Sequence, residues 1–244
     1  MQLEPILFLN GLLSLIFVIT STYVGIRIAS KYIKYKQTNL ILVGFSWIGI
    51  SSLWIAPSIS FILVIMTGRG LTPFLYFFIA NAFIPLYVFI WMIVVTEFLQ
   101  KENQKIILII CAIIGTIVEI FFFYFLFTAP SIIGELQGPL DTKWGLFMVV
   151  YYILVIIIML ITGTLFARAS FKSPDPEIKL KGKFLMAAFY TWGIGCLLDT
   201  ISSLSIIILI MARIILVLSA IQFYWGFFLP NFIKKIFLNK NSIK

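Results

Sequence analysis

Five polar side chains interrupt long apolar segments of the sequence: Asn10, Asn81, Glu119, Asp199 and Arg213. An ionisable group inside a membrane is costly, so each needs a partner or a purpose. Asp199 and Arg213 both lie seven residues from Ile206, inside one apolar run. If the chain folds back at Leu204–Ile208, the two charges lie at matching depth on adjacent helices. We therefore predict a carboxylate–guanidinium contact within about 4 Å, which either fixes the register of the two helices or serves binding and switching.

Glu119 has no basic side chain near it in the sequence. On a helix it shares a face with the small residues Cys111, Gly115 and Thr116. Small residues let two membrane helices approach closely, so this face is expected to meet a neighbouring helix. We expect Glu119 to be protonated because burial disfavours the charged carboxylate. Two interpretations stay open, a structural hydrogen bond to Asn81 and a functional role.

The five polar residues have similar predicted depths in the membrane. At 1.5 Å per residue, all of them lie about 8 to 14 Å below the outer ends of their predicted helices. Pro57 and Pro85 each remove a helical hydrogen bond nearby, which frees the carbonyls of Leu53 and Asn81. A polar layer with kinked helices predicts an outward-facing pocket. The same features also suit a purely structural network.

Composition determines the fold class that must position these residues. The chain is 62% hydrophobic and 11% charged, which excludes a soluble domain. A spanning helix needs roughly 20 apolar residues. The sequence therefore predicts an all-α, polytopic membrane protein, with a bundle of seven transmembrane helices over residues 1–230 and a short basic amphipathic tail over 231–244. The predicted helices cover about residues 5–30, 39–66, 73–100, 106–128, 144–168, 183–204 and 207–229.

The basic residues predict the orientation of the bundle. Fifteen of the 18 lysines and arginines lie on one side of the predicted bundle, the side that holds the loops after helices 1, 3 and 5 and the tail. Positive residues favour the cytoplasmic side, so the N-terminus is expected outside and the C-terminus in the cytoplasm. We expect a multi-pass protein of the cell membrane. Its net charge of +9 then reflects topology and not a nucleic-acid partner. The expected partners are the lipid bilayer and the anionic inner-leaflet lipids beneath the tail.

The residue types present argue against catalysis. The sequence has no histidine, which removes the commonest metal ligand and general base. It has neither a glycine-rich phosphate loop nor a nucleophile elbow. Cys111 and Cys196 are expected to be buried thiols. We therefore expect no enzyme, no metal and no cofactor.

The predicted topology looks like that of seven-helix receptors and of the membrane sensor regions fused to some kinases, by architecture alone. The first hypothesis is a receptor-like or sensory module. It binds a small or lipid-soluble ligand in the outer pocket and signals through the basic cytoplasmic loops to a separate cytoplasmic signalling partner. The alternatives are a non-catalytic membrane subunit or scaffold, and a transporter of small solutes or lipids.

Overall fold

The computed structural model describes residues 4–200 and 206–238 of the 244-residue chain. Within these ranges the protein is almost entirely helical. Its helices are α1 Pro5–Ser30, α2 Tyr32–Tyr35, α3 Thr38–Ile50, α4 Ile55–Thr67, α5 Pro73–Asn81, α6 Ile84–Leu99, α7 Gln104–Thr128, α8 Leu146–Ala169, α9 Pro176–Thr200, α10 Ile206–Phe228 and α11 Asn231–Phe237. Two strands, β1 Gly134–Gln137 and β2 Asp141–Trp144, form an antiparallel pair.

Five helical segments of the described chain are long and apolar enough to cross a membrane. They are Pro5–Tyr35, Pro73–Leu99, Lys101–Thr128, Leu146–Lys172 and Ile206–Phe228. The bent pair α3–α4 is a sixth if it counts as one crossing. The 25-residue helix α9 is less apolar because its first turns carry several lysines. These findings support an all-α, multi-pass membrane protein, while seven crossings and their orientation stay predictions.

The sequence predicts two continuous helices that are broken in the structure. Each break lies a few residues before a proline, which lacks a backbone N–H. The helix expected over 39–66 bends by 42° at a short 3-10 turn between α3 and α4, just before Pro57. The helix expected over 73–100 breaks between Asn81 and Ile84, just before Pro85. The Ser52 hydroxyl donates to the carbonyl of Ala80 at 3.3 Å, so the two breaks lie side by side.

The segment predicted as a plain loop over 129–143 is instead a β-hairpin. Gly134 pairs with Trp144, and Gln137 pairs with Asp141. Gly138 has a φ of +75°, a left-handed conformation that suits glycine at the turn. Ile133, just before the hairpin, and Leu140, in its turn, are fully buried in the bundle. The hairpin is therefore part of the packed core and covers one end of the bundle.

Helix α9 begins about seven residues before the predicted start at 183. The Asp175 carboxylate accepts from the backbone N–H of Glu177 at 2.7 Å, which satisfies a free donor of the first turn. The sequence-based boundary followed apolarity, whereas these first turns are polar and still helical. Of the predicted turn at Leu204–Ile208, residues 204 and 205 lie outside the described residues, whereas 206–208 form the first turn of α10. Residues 239–244 of the tail also lie outside the described residues.

The end of the bundle opposite the hairpin is fastened by the tail. Ile233 of α11 is buried in a cluster with Leu180 of α9. Lys234 Nζ lies 2.6 Å from Glu177 Oε2, which joins α11 to the start of α9. Lys31 Nζ donates to the Phe227 carbonyl at 2.9 Å and so joins the end of α1 to the end of α10. The ends of four helices therefore meet here, and three of them, α1, α9 and α11, carry basic residues.

Two glycines allow α1 and α3 to cross closely in the core. A Cβ added to Gly44 of α3 would lie 2.3 Å from the carbonyl oxygen of Gly25 in α1. A Cβ added to Gly25 would lie 2.6 Å from the carbonyl oxygen of Gly44. Such close backbone approach is typical of membrane helix pairs. It holds α1 against α3, which brings Asn10 near the centre of the hairpin end.

Candidate functional site

Asp199 and Arg213 form the predicted ion pair. Arg213 Nη1 lies 3.1 Å from Asp199 Oδ1, within the 4 Å that the sequence predicts. The helices α9 and α10 approach closely here because Gly195 leaves room for the side chain of Leu216, which lies 2.8 Å from an added Cβ. Arg213 is only 4% exposed. The Asp199 side chain is 23% exposed, so the pair is largely enclosed by protein, and removing one partner is expected to be costly.

Further polar contacts surround the pair. Arg213 Nη2 donates to Asn10 Oδ1 at 2.8 Å, and Trp54 Nε1 donates to Asp199 Oδ2 at 3.2 Å. The guanidinium carbon of Arg213 lies 5.8 Å from the centre of the Trp54 ring, within cation–π range. Hydrogen bonds to both members are what a buried ion pair requires. The network joins α1, α9, α10 and the bend between α3 and α4.

The hairpin is fastened directly to this network. The Leu140 carbonyl accepts from Tyr76 Oη at 3.1 Å and from Asn10 Nδ2 at 3.4 Å. The Ser60 hydroxyl donates to the Pro139 carbonyl at 2.6 Å. Asn10 therefore binds Arg213 with its oxygen and the hairpin with its nitrogen. The hairpin acts as a roof held by α1, α4 and α5.

A cavity of about 180 Å³ lies between this roof and the ion pair. For comparison, a dry cavity of about 150 Å³ holds benzene in an engineered protein. Asp199 and Arg213 line it, and so do Asp141 and Lys143 of the hairpin. Six aromatic side chains supply much of the remaining wall: Trp54, Tyr76, Tyr87, Trp144, Tyr152 and Trp192. The site suits a molecule about the size of one aromatic ring.

Asn81 lies just behind the wall of this cavity. Its Nδ2 donates to the Phe77 carbonyl at 2.9 Å within its own helix. Its Oδ1 accepts a hydrogen bond from the hydroxyl of Tyr152, which lines the cavity. Asn81 therefore orients a wall residue and is not itself in the lining.

Glu119 lies apart from the ion pair. The hydrogen bonds of the described residues include none between Glu119 and Asn81, the structural partner considered for it. Both residues line a separate crevice with Pro85 and Tyr151, too narrow to admit a water molecule. Gly115 lies one turn before Glu119, and a Cβ added to it would lie 3.4 Å from the Cβ of Pro85. This face of α7 therefore packs on the neighbouring helix α6. The predicted layer is thus divided into two places, and the structure brings together only Asn10, Asp199 and Arg213.

Several site residues were not predicted as such. Trp54 binds Asp199 and Trp192 lines the cavity, and neither was among the predicted site residues. One signal was available for Trp192, which lies seven residues before Asp199 on the same helical face. No signal in the sequence placed the hairpin above the ion pair.

Comparisons with protein-family models, with curated proteins and with solved structures find no match to this chain.

The contacts of the roof give a testable prediction. Ser60→Ala removes the donor to Pro139 and the acceptor for the Leu71 N–H, which lies 2.9 Å from the Ser60 hydroxyl. Each buried hydrogen bond contributes about 1 kcal/mol, so amide exchange across residues 134–144 should accelerate about five- to thirtyfold. Hydrogen–deuterium exchange measures this directly. Ser58→Ala is the matched control, because the one hydrogen bond of the buried Ser58 hydroxyl within the described residues goes to the Trp54 carbonyl of its own turn. Equal exchange in both variants would contradict the assignment of a fastened roof.

Proposed function

We propose that this protein is a receptor-like or sensory seven-helix membrane module. It binds a small or lipid-soluble ligand in the roofed cavity and signals through the basic elements at the opposite end of the bundle. The observation that carries the proposal is the cavity itself, because it combines an aromatic wall with a buried ion pair between two different helices. Pockets of this kind, apolar with a few placed polar groups, are typical ligand sites.

The proposal includes seven crossings, with the N-terminus outside and the C-terminus in the cytoplasm. The five apolar spans and the bent pair supply six, and α9 supplies the seventh. Its 25 residues equal about 37 Å of helix, which is longer than a hydrocarbon core of about 30 Å. The lysines of α9, α11 and the end of α1 meet at one end of the bundle, as expected for the cytoplasmic side.

Helix α9 offers a physical route between the two ends. It carries Asp199 beside the cavity and Glu177 at the ion pair with Lys234 of α11. A ligand that alters the Asp199–Arg213 contact would shift α9 against α10, and a packed helix moves as a unit. The movement reaches the basic loops, where a separate signalling partner is expected to bind.

A cavity-filling variant tests ligand binding. Val155 of α8 lines the cavity, whereas its neighbour Leu154 is 53% exposed on the outer surface of the bundle. Small molecules extracted from the native cells are added to the purified protein in lipid nanodiscs, and thermal unfolding is recorded. A ligand at a hundred times its Kd stabilises the folded state by about 2.7 kcal/mol, which raises Tm by several degrees. We expect this rise for the natural protein and for Leu154→Trp, and none for Val155→Trp.

The signalling step has its own readout. Spin labels at Lys34 and Lys181, near the proposed cytoplasmic end, report the distance between α2 and α9. The stabilising fraction should shift this distance in the natural protein and leave it unchanged in Val155→Trp. Stabilisation in Val155→Trp would contradict binding in the cavity, and an unchanged distance in the natural protein would contradict signalling.

The scaffold alternative is favoured by one observation on α7. Only Phe122 and Leu126 of this 25-residue helix are buried, so most of its apolar surface faces outward. Lipid alone can cover that surface, and so can a partner helix. A photo-crosslinking residue at Ile113, which is 55% exposed, distinguishes the two in native membranes. Stoichiometric capture of a single protein would support the scaffold.

The transporter alternative is favoured by polar atoms between the cavity and the basic end. Among the described residues, four buried polar atoms there have no hydrogen-bond partner: Ser21 Oγ, Ser46 Oγ, Trp47 Nε1 and Gln222 Oε1. Passage of a solute requires such groups along its path. Flux of the stabilising ligand across proteoliposomes, lost in Val155→Trp, would support transport over sensing.

A further inference from the structure

The cavity wall contains hydrogen-bond donors that the protein itself does not use. Trp192 lines the cavity and is 3% exposed, and its indole Nε1 has no hydrogen-bond partner among the described residues. Arg213, also in the lining, uses Nη2 for Asn10 and Nη1 for the ion pair, while its Nε has no partner within the same part of the chain. Both atoms can only donate. A buried donor without an acceptor is costly, so an acceptor on a bound molecule is favoured here.

Trp192 lies deeper in the bundle than Asp199, counted from the hairpin end of α9. Trp192 precedes Asp199 by seven residues on one helical face, which sets it about 10 Å further along α9. Cys196 lies between them and also lines the cavity. Trp192 therefore lines the space about 10 Å along α9 from the ion pair, with Cys196 between them.

The charges of the lining cancel. Asp199 is paired with Arg213 at 3.1 Å, and the hairpin contributes Asp141 and Lys143. A charged ligand entering this space would carry a charge that the lining does not compensate, and desolvation of an uncompensated ion is expensive. An uncharged molecule avoids that cost.

We infer that the ligand is an uncharged, ring-sized molecule bearing a hydrogen-bond-acceptor oxygen, which accepts the indole N–H of Trp192. The ring packs on the aromatic wall, and the oxygen lies next to Trp192. This inference rests on the proposed ligand-binding function and adds the chemical class of the ligand.

Three probes of nearly equal shape test it. Acetophenone carries a neutral acceptor oxygen, α-methylstyrene replaces that oxygen with a methylene group, and benzoate carries a negative charge. Equilibrium dialysis measures the binding of each labelled probe to the protein in nanodiscs, with empty nanodiscs subtracted for partition into lipid. We expect acetophenone to bind roughly two- to tenfold more tightly than α-methylstyrene, the range that one net hydrogen bond supplies. Benzoate should bind more weakly than acetophenone.

A variant isolates the indole donor. Trp192→Phe keeps an aromatic ring but removes the N–H. The variant should therefore bind acetophenone and α-methylstyrene about equally. Trp47→Phe is the matched control. Trp47 Nε1 is also buried without a partner among the described residues, but its ring stacks on Phe223 outside the cavity, with ring centroids 3.7 Å apart. This control should keep the full preference.

The failures of the two proposals can be told apart. If no probe binds the natural protein more than Val155→Trp, both the ligand class and the binding cavity are overturned. If the probes bind but α-methylstyrene or benzoate equals acetophenone, the cavity stands and the ligand class is wrong. A preference that persists in Trp192→Phe would overturn the assignment to the indole N–H.

Discussion

Replacing Arg213 with methionine, with Asp199 left in place, should destabilise the protein by about 3–5 kcal/mol. The substitution leaves a carboxylate beside the cavity without its cation, and it also leaves Asn10 Oδ1 without the donor that lies 2.8 Å away. The loss is measured as the free energy of unfolding in nanodiscs. A loss below about 1 kcal/mol would contradict the pair's role, because that is the range of exposed surface pairs.

The double variant Asp199→Leu with Arg213→Met is the control for this prediction. Removing both charges removes the uncompensated ion, so most of the lost stability should return. Recovery should be incomplete, because Trp54 Nε1 and Asn10 Oδ1 lose their partners. A double variant as unstable as the single one would contradict the account. If it is stable and responds to ligand like the natural protein, the pair is structural only.

The second large effect is expected at the crossing of α1 and α3. In Gly44→Ala the new Cβ would lie 2.3 Å from the Gly25 carbonyl oxygen and 3.0 Å from the backbone nitrogen of Ala29. The neighbours are backbone atoms, so the helices must separate. Overpacking typically costs about 1–3 kcal/mol, and here it opposes the roughly 1 kcal/mol that alanine gains over glycine in a helix. We expect a net loss of stability, measured by thermal unfolding.

Gly115→Ala is the matched control within a membrane helix. Its added Cβ would meet only Pro85, at 3.4 Å, so the helix gains alanine without a clash. This variant should be neutral or more stable by up to about 1 kcal/mol. Similar behaviour of the two variants would show that the α1–α3 crossing is looser than described.

The ion pair was predictable because two simple rules determine it. Asp199 and Arg213 are equally spaced from the centre of one apolar run, and a helical hairpin places such residues at one depth. Their depth relative to Asn10 followed from the same count, and the structure places Asn10 2.8 Å from Arg213. Kinks near Pro57 and Pro85 were predicted because proline lacks the backbone N–H that a regular helix needs, but the full breaks were not.

An outward-facing pocket was predicted from the polar layer, but the hairpin that covers it was not, because the hairpin carries no periodic signal. The strands of the hairpin have four residues each, too short for alternation to show, and Gly138 and Pro139 indicate only a turn. The contacts of Leu140 with Asn10 and Tyr76 join segments far apart in the chain. Depth alone also grouped Glu119 with the pair, although the direction in which α7 faces places it in another crevice.

Between the hairpin and the Asp199–Arg213 pair we expect a cavity that ligands can enter from the outside. Single cysteines at Val155 and Leu154, in a chain with Cys111 and Cys196 replaced by alanine, test it in right-side-out membrane vesicles. A small, membrane-impermeant thiol reagent is added outside, and the labelled fraction is followed by mass spectrometry. We expect the reagent to label Val155→Cys from the outside. It should not label Leu154→Cys, because that thiol faces the hydrocarbon of the membrane. Equal labelling of the two, or labelling of Val155→Cys only from the inner side, would contradict this expectation.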